Sequence, residues 1–388
     1  MKNALLASAA LLLAAPVHAV NVYSSEKMNF DIGGNLQLGV MSSENGGDNS
    51  TTVFDNGSRF HFAFDSQVND DTKISGFLQW YINAVARNSI DSINQGSNSV
   101  ALNNGTKDLF SLRQGYFSAE NTHWGEFSIG KKMGAYQAVT GVTDYFNVFS
   151  AMASSTYVYG DGGITGTGRV DNGLFWSKQF GSDKHSLTVN LQGQLLDESI
   201  ELTDEKGLKM TGALGNEITI ESKGGVAASA IYALDQDKLT VGLGYSSTDA
   251  KLEGASYRIN SPEAYTASIS STIGDWYVAA VAANSQGMYQ DNTGQIFSGS
   301  GYEVMVKRDI GDWTPMIGWS HISADSYENF ENNTQSQYEL DLVTLSLNYN
   351  IRSLGFFAFI EATFDNGTKA DGSDSDNSSI SIGMYYPF

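Results

Sequence analysis

Side chains that could carry out catalysis are scattered through this chain. The histidines beyond residue 19 lie in separate segments: His61, His123, His185 and His321. None adjoins a serine in a nucleophile motif, and the sequence contains no HExxH motif. The chain has no cysteine, which removes thiolate metal ligands and disulfides. These residue types predict no enzyme and no cofactor.

Charged side chains offer a different chemistry, which is electrostatic. Arg59 and Arg113 each lie opposite the apolar face of an alternating segment, next to Phe60 and Leu112. An arginine on a lipid-facing surface would cost roughly 2 to 4 kcal/mol at mid-depth, so both side chains are expected to point into water. The acidic run 371–376 lacks the spacing of a calcium loop and predicts a solvated tip, although divalent-cation binding there stays open.

The composition excludes several classes of protein. The formal net charge is −21, from 43 acidic and 22 scattered basic residues, so the chain would repel nucleic acid. Beyond the N-terminus no run of 18 apolar residues occurs, which argues against a helical membrane protein. No linker-like stretch or change in composition marks a domain boundary. One continuous architecture is expected.

Residues 1–19 predict a secretory signal peptide. Lys2 precedes an apolar stretch from Ala4 to Ala15, and Val17 and Ala19 supply the small residues that a signal peptidase recognises. The mature domain is therefore expected to comprise residues 20–388 and to begin at Val20. Export of a chain without cysteine suggests a bacterial envelope protein.

The segments that hold the arginines alternate with a period of two. Between Phe30 and Val40, apolar residues recur at every second position, and Asn35 and Gln37 lie on the other face. The same alternation recurs in segments 59–65, 187–195 and 239–246. Such segments run about 10 residues, enough to cross a bilayer at a tilt, whereas strands of soluble sandwiches usually have about 5 or 6. Length favours a membrane barrel.

Short polar turns and long polar loops alternate along the chain. The turns lie at 69–71, 121–123, 181–183, 235–237, 274–275, 311–312 and 352–353, and the loops near 41–58, 84–108, 132–167, 197–222, 247–262, 287–300, 323–337 and 365–377. Seven turns and eight loops join sixteen strands. The aromatic last strand, Ser379 to Phe388, would be an aggregation hazard unless it closed against the first. The prediction is an all-β, transmembrane antiparallel β-barrel of about 16 strands.

The third loop, 132–167, differs from the acidic loops four, seven and eight. Its large side chains are mostly aromatic: Tyr136, Tyr145, Phe146, Phe149, Met152, Tyr157 and Tyr159. Asp144 and Asp161 are its only acids. A barrel of about 16 strands is wide enough for this loop to fold inward and narrow the pore. Packing on other loops outside the barrel is the alternative.

Over essentially its mature length the chain resembles the general trimeric porins of Gram-negative bacteria. The resemblance rests on Ser58-Arg59-Phe60, Leu112-Arg113-Gln114, Gly168-Arg169-Val170, Val142-Thr143-Asp144-Tyr145-Phe146, Gly130-Lys131 and the terminal Phe388. It implies a ladder of Arg59, Arg113 and Arg169 on the pore wall, with the constriction acids Asp144 and Asp161 in the third loop. It also implies a homotrimer in the outer membrane, in contact with the lipid bilayer and lipopolysaccharide.

The sequence departs from the family at three of its motif positions. Val148 stands where relatives often have a glutamate, Asn147 where they often have a proline, and Asn35 where many have a lysine. We therefore expect a weaker separation of positive and negative charge across the narrowest part of the pore than in the family. The other residues expected to line the pore are Asn35, Gln37, His61, Lys131 and Glu361.

The function expected from this resemblance is passive diffusion of small hydrophilic solutes and ions through a water-filled channel. Facing charges would set a transverse field, and acidic mouth loops opposed by arginines predict a weak cation preference at low salt. Screening should weaken it as salt rises. The alternatives are a substrate-specific channel for sugars or anions, and a secreted β-sandwich adhesin. A sugar channel would need a lane of aromatic residues, for which Phe77 and Tyr81 alone are too few.

Overall fold

A computed structural model describes residues 20–45, 48–85, 89–93, 100–103, 109–159, 161–201, 209, 217–235, 238–253, 261–290, 296–326, 338–375 and 377–388. The strands are β1 Val20–Ser24, β2 Met28–Asn45, β3 Asp48–Asp55, β4 Arg59–Asn69, β5 Thr72–Ile82, β6 Ser89–Ile93, β7 Val100–Asn103, β8 Phe110–Asn121, β9 Gly125–Met133, β10 Arg169–Ser182, β11 His185–Gln194, β12 Glu198–Glu201, β13 Thr219–Leu234, β14 Leu239–Glu253, β15 Glu263–Ile273, β16 Trp276–Gln290, β17 Ile296–Arg308, β18 Trp313–Ser326, β19 Glu339–Ile351, β20 Phe356–Asp365 and β21 Ser378–Pro387. Helix α1 (Gln137–Thr140) and a 3-10 turn (Gly141–Thr143) lie between β9 and β10, and a second 3-10 turn (Arg352–Leu354) joins β19 to β20. The expected signal peptide, residues 1–19, lies outside the described residues.

Over the described residues these strands form a closed antiparallel barrel of sixteen positions. β3 and β4 together occupy one position, and β12 continues β11. β1 forms a hairpin with β2, while β6 and β7 belong to a loop. The all-β barrel and its strand number are thus confirmed, and the alternative of a β-sandwich is wrong. No helix within these residues is long and apolar enough to span a membrane.

The barrel closes where the last strand meets the first. β21 pairs with β2 from Asn35 to Glu44, and the backbones of Gly34 and Phe388 exchange two hydrogen bonds of 2.8 and 2.9 Å. A Cβ on Gly34 would lie 2.4 Å from the carbonyl oxygen of Arg59 and 2.7 Å from the ring of Phe388. Glycine therefore allows the close approach at this seam, and the terminal strand has no free edge there.

Polar residues face inward and apolar residues face outward, the reverse of a soluble domain. On β2, Asn35 and Gln37 are buried, while Leu36 and Val40 are 39% and 48% exposed. On β8, Gln114 is buried and Leu112 is 48% exposed. This inversion follows from the surroundings, because the outer wall of a membrane barrel meets hydrocarbon and its lumen meets water.

The seven expected turns each fall at a junction between paired strands, although residues 236–237 of one turn lie outside the described residues. Several expected loops are shorter than the sequence predicts. The prediction of a loop at 41–58 is wrong, because β2 and β3 pair through Glu44 and Asn49. Likewise, β14 extends to Glu253 and β16 to Gln290. Strands that continue beyond the bilayer need no apolar face. Their ends are therefore polar and lack the alternation from which a strand is predicted. Parts of the acidic loops, 202–208 and 327–337, lie outside the described residues.

The third loop lies inside the barrel, as predicted. Between β9 and β10 most of its side chains are buried, including Tyr136, Val139 and Met152. Met152 packs with Tyr289 and Leu340 from the barrel wall. The loop aromatics thus replace water at part of the inner wall, and the loop occupies part of the lumen.

Candidate pore constriction

A buried carboxylate holds the tip of the third loop to the wall. Glu361, on β20, is fully buried. Its Oε1 accepts the backbone N–H groups of Val148 and Phe149 at 2.9 and 2.8 Å, and its Oε2 accepts the N–H of Asn147 at 2.8 Å. Hydrogen bonds to a charged acceptor are worth about 1.5–3 kcal/mol each, so this clamp outweighs an ordinary loop contact.

A second clamp holds Ala153 of the third loop to the wall through Glu303 on β17 and Tyr289 on β16. Oε1 of Glu303 accepts the backbone N–H of Ala153 at 2.7 Å, and its Oε2 accepts the hydroxyl of Thr143. The hydroxyl of Tyr289 donates to the carbonyl of Ala153 at 2.7 Å. Both backbone groups of Ala153 are thus bonded to the wall. Elsewhere, Tyr277 donates to the carbonyl of Val142 at 2.8 Å.

Glycines in the wall let the loop approach closely. A Cβ on Gly301 would lie 1.9 Å from the carbonyl oxygen of Ala153, and one on Gly318 would lie 2.5 Å from the ring of Phe146. Real Cβ atoms do not occur at such distances, so any larger residue would displace the loop. The path of the loop is therefore set by glycines and by buried acids of the wall.

The three arginines lie on the side of the lumen formed by β2 to β10. Arg59 opens β4, and its Nε donates to Oδ1 of Asn35 at 2.8 Å. Arg113, on β8, is 8% exposed, and its Nη1 donates to Oε1 of Gln79 at 2.6 Å. Arg169 opens β10 and is also 8% exposed. Arg59 and Arg169 thus begin strands and Arg113 lies within one, so that the backbone of the barrel wall holds all three in place.

Two tyrosines lie among these arginines. The Cζ atoms of Arg113 and Arg169 are 5.3 and 5.9 Å from the ring centre of Tyr81. Arg169 is also 5.0 Å from the ring centre of Tyr157, which belongs to the third loop. A cation over an aromatic face is attracted by about 0.5–1 kcal/mol, or more when desolvated. Arg169 thus connects the wall to the loop through two rings.

The loop acids have partners other than the arginines. Oδ2 of Asp144 accepts the hydroxyl of Tyr157 at 2.7 Å. Burial and the neighbouring Asp144 raise the pKa of Tyr157 well above its usual value, so this hydroxyl keeps its proton. Asp161 pairs with Lys131 at 2.9 Å, and the same lysine pairs with Asp171 at 2.8 Å. Each acid therefore contacts a donor that is not part of the arginine ladder.

The remaining residues expected to line the pore differ in their surroundings. Asn35 and Gln37 are buried on β2, and the N–H of Gln37 donates to the hydroxyl of Ser58 at 2.9 Å. His61 is half-buried, with its ring 5.2 Å from that of Phe77. Glu361 differs from the expectation, because its carboxylate faces the loop backbone and is closed off from open water. Because the loop folds over it, Glu361 binds the loop backbone and does not line the open pore.

The sequence patterns predict no site role for Gln79 or Tyr157, and Tyr81 with Phe77 alone does not predict a sugar lane. Counting back from the turn at 70–71 would pair Arg59 with Ile82. A β-bulge between Gln67 and Asn69 shifts the register by one residue, so that the structure pairs Arg59 with Tyr81 and His61 with Gln79. The place of Tyr157 depends on the path of the loop, which spacing along the chain does not give.

At a second point of the lumen a lysine holds the loop. Nζ of Lys307, on β17, lies 4.1 Å from the ring centre of Tyr145 and 5.4 Å from that of Tyr277. The rings of these tyrosines are 5.0 Å apart. Within the described residues, no three His, Asp or Glu side chains are placed to hold a metal ion. The site can therefore attract, orient or repel solutes by charge and by ring faces.

Comparisons with known proteins agree with this geometry. Residues 4–388 match the family described as Gram-negative porin. Outer membrane protein U of Vibrio parahaemolyticus serotype O3:K6 is 22% identical over 408 residues, which cover all of both chains. OmpF of Salmonella typhi, solved in complex with daunomycin, is 13% identical with a TM-score of 0.68, over 95% of this chain and 100% of that chain. The trimer form of Vibrio cholerae OmpT is 12% identical with a TM-score of 0.59, over 94% and 100%. At these identities the solved structures establish the barrel fold alone.

Proposed function

Since the chain belongs to the Gram-negative porin family and forms an outer-membrane channel, we propose that it lets small hydrophilic solutes and ions cross by passive diffusion. The observation that carries this proposal is the constriction. A loop clamped by Glu361 and Glu303 stands inside a closed barrel whose inner face is polar. Such a passage selects by size and charge without turnover of its solutes.

We propose that Arg59, Arg113 and Arg169, with Asp144 and Asp161 of the loop, set the electrostatics of the narrow part. Outside it, the acidic loops four, seven and eight favour cations at the mouths. The arginines oppose this preference. The expected result is a weak cation preference at low salt, which fades as the Debye length falls from about 30 Å at 0.01 M to about 3 Å at 1 M.

We also propose that the protein is a homotrimer. One solved neighbour has a trimer form, although the likeness to it is one of fold. The outer wall at β2 to β8 carries a patch of touching aromatic rings, with Phe60 5.0 Å from Trp80 and 5.5 Å from Phe110. Phe62 extends the patch at 5.6 Å from Phe60. Aromatic side chains are enriched in protein interfaces, so this wall is the surface on which copies would pack.

The test is insertion of the detergent-purified protein into planar lipid bilayers, with conductance and reversal potential recorded under a salt gradient. Stepwise openings in groups of three and a cation-side reversal potential at low salt are expected. Entry of sorbitol into proteoliposomes should accompany the openings, because it reports an open aqueous path for a neutral solute. Folded protein that gives neither openings nor sorbitol entry would overturn the proposal.

A further inference from the structure

Three aromatic rings of the inner wall contact one another in a row that crosses neighbouring strands. The ring centre of His61, on β4, lies 5.2 Å from that of Phe77, on β5, and Phe77 lies 5.7 Å from Tyr116, on β8. The planes of successive rings differ by 33° and 38°. His61 follows Arg59 and Tyr116 follows Arg113, in both cases toward a short turn. We name these three side chains the ring row, and they lie on the side of the arginines that faces the short turns.

The ring row is open to the lumen. Its three side chains are only half-buried, and no aromatic residue of the third loop is in ring contact with them in the part of the chain that the structure describes. The positions that pair with the row on an adjacent strand carry small residues, namely Gly33, Ala63 and Gly130. These small residues leave the rings uncovered, so part of the ring surface meets the water of the pore.

Other rings of the inner wall are covered by the third loop. Phe359 packs with Val148 and Phe149 of the loop. The ring of Tyr277 lies 5.0 Å from that of Tyr145. Apolar surface that stays in water forgoes about 25 cal/mol per Å² of stabilisation. Among the described residues the ring row has no such aromatic cover, and a solute that stacks on it would bury this surface.

Polar side chains border the ring row. Gln79 and Gln114 each lie two residues from a member of the row, Phe77 and Tyr116, and on the same face of the strand. Oε1 of Gln79 accepts Nε2 of Gln114 at 3.3 Å. On another side, Nζ of Lys132 lies 5.1 Å from the ring centre of Tyr116. Amide and ammonium groups offer donors, and amide oxygens offer acceptors, beside the ring surface.

We propose that the ring row binds neutral sugars through their pyranose rings. A pyranose has C–H faces that stack on aromatic rings, and its hydroxyl groups donate and accept hydrogen bonds at the rim. An open-chain polyol has the hydroxyl groups without such a face. Successive ring centres are 5.2 and 5.7 Å apart, so neighbouring units of a short oligosaccharide contact successive rings. The proposal rests on the proposed function, because the sugar must first enter the pore.

The ring row also shows why Phe77 and Tyr81 were too few in the sequence to predict a sugar lane. The structure places Tyr81 beside Arg113 and joins Phe77 to His61 and Tyr116. Several weak contacts in succession suit a channel, because a solute must bind strongly enough to enter and weakly enough to leave. Sugar passage is therefore expected to saturate.

The experiment records the ion current through the full protein in planar bilayers while maltotriose or sorbitol is added. Bound maltotriose obstructs the pore, so the current should fall along a saturating curve with a defined half-blocking concentration. Sorbitol lacks a pyranose ring. At equal mass concentration it should lower the current only in proportion to its concentration, as it lowers the conductivity of the bulk solution.

Two substitutions each remove one ring and keep an apolar side chain. Phe77→Leu and Tyr116→Leu should each raise the half-blocking concentration by about twofold to tenfold, the loss expected for one aromatic contact. Phe127→Leu is the matched control and should change nothing, because this ring is on β9 and is 53% exposed on the outer wall. Tyr116→Phe keeps the ring and should restore most of the block that Tyr116→Leu loses, so a test remains if Phe77→Leu fails to assemble.

The outcomes separate this inference from the proposed function. If no openings occur and sorbitol does not enter proteoliposomes, the diffusion pore itself is overturned. If channels open but maltotriose lowers the current no more than sorbitol does, the pore stands and the sugar site is overturned. Equal half-blocking concentrations in wild type, Phe77→Leu and Tyr116→Leu would place the sugar elsewhere and would likewise overturn the inference.

Discussion

Glu361 and Phe149 are separated by 212 residues, and the backbone N–H of Phe149 donates to Oε1 of Glu361 at 2.8 Å. The carboxylate lies on a barrel strand and the N–H lies at the tip of the third loop. Since the neighbouring N–H groups of Asn147 and Val148 bond to the same carboxylate, one side chain fixes three successive residues of the loop. The position of the loop inside the barrel depends on this attachment.

Glu361→Gln should loosen the loop. An amide has one acceptor oxygen, and its NH₂ group would oppose the loop N–H groups, so we expect a loss of about 1.5–3 kcal/mol. Single-channel recordings should show more current noise and brief changes of conductance. Glu339→Gln, at an acid with a 46% exposed side chain, is the control. Equal noise in the two variants would mean that Glu361 does not restrain the loop.

Gly301→Ala should displace the loop from the wall. Its Cβ would collide with the carbonyl oxygen of Ala153, and overpacking of this kind costs about 1–3 kcal/mol. Unit conductance should fall because the loop moves toward the centre of the pore. Gly193→Ala introduces the same methyl group where no atom lies within 4 Å. A conductance change of the same size at Gly193 would contradict this explanation.

Tyr157→Phe should shift ion selectivity toward cations. The substitution removes the hydroxyl that bonds Asp144, so that this carboxylate becomes free to face the pore. We expect a cost of about 0.5–1.5 kcal/mol in stability and a reversal potential closer to the cation limit. Tyr159→Phe removes a hydroxyl that bonds the carbonyl of Gly287 instead, and it should leave the reversal potential unchanged. The prediction fails if both variants shift it equally.

Trp80→Ala should weaken assembly of the trimer. It removes the ring that stacks on Phe60 at the centre of the outward aromatic patch. The temperature at which trimers dissociate in detergent electrophoresis should fall, while the monomeric barrel stays folded. Trp276→Ala removes the same side chain from β16, outside that patch, and serves as the control. Dissociation at the same temperature in wild type and Trp80→Ala would place the interface elsewhere.

Much of the barrel could be predicted from the sequence alone. Side chains alternate across a strand with a period of two, so the pattern from Phe30 to Val40 identifies a strand and its faces without any tertiary information. The short turns are local too, since turn residues act on their own backbone. The same logic placed Arg59 and Phe60 on opposite faces, as the ring contacts of Phe60 show.

Only the tertiary structure decided which charges meet. Parity assigns a residue to a face of the wall, but it does not say what covers that face. The third loop covers Glu361 and leaves Arg113 beside Tyr81, and neither outcome follows from spacing along the chain. The reason is physical: the path of the loop is selected by close packing against Gly301 and by long-range hydrogen bonds, which exist only once the barrel has closed.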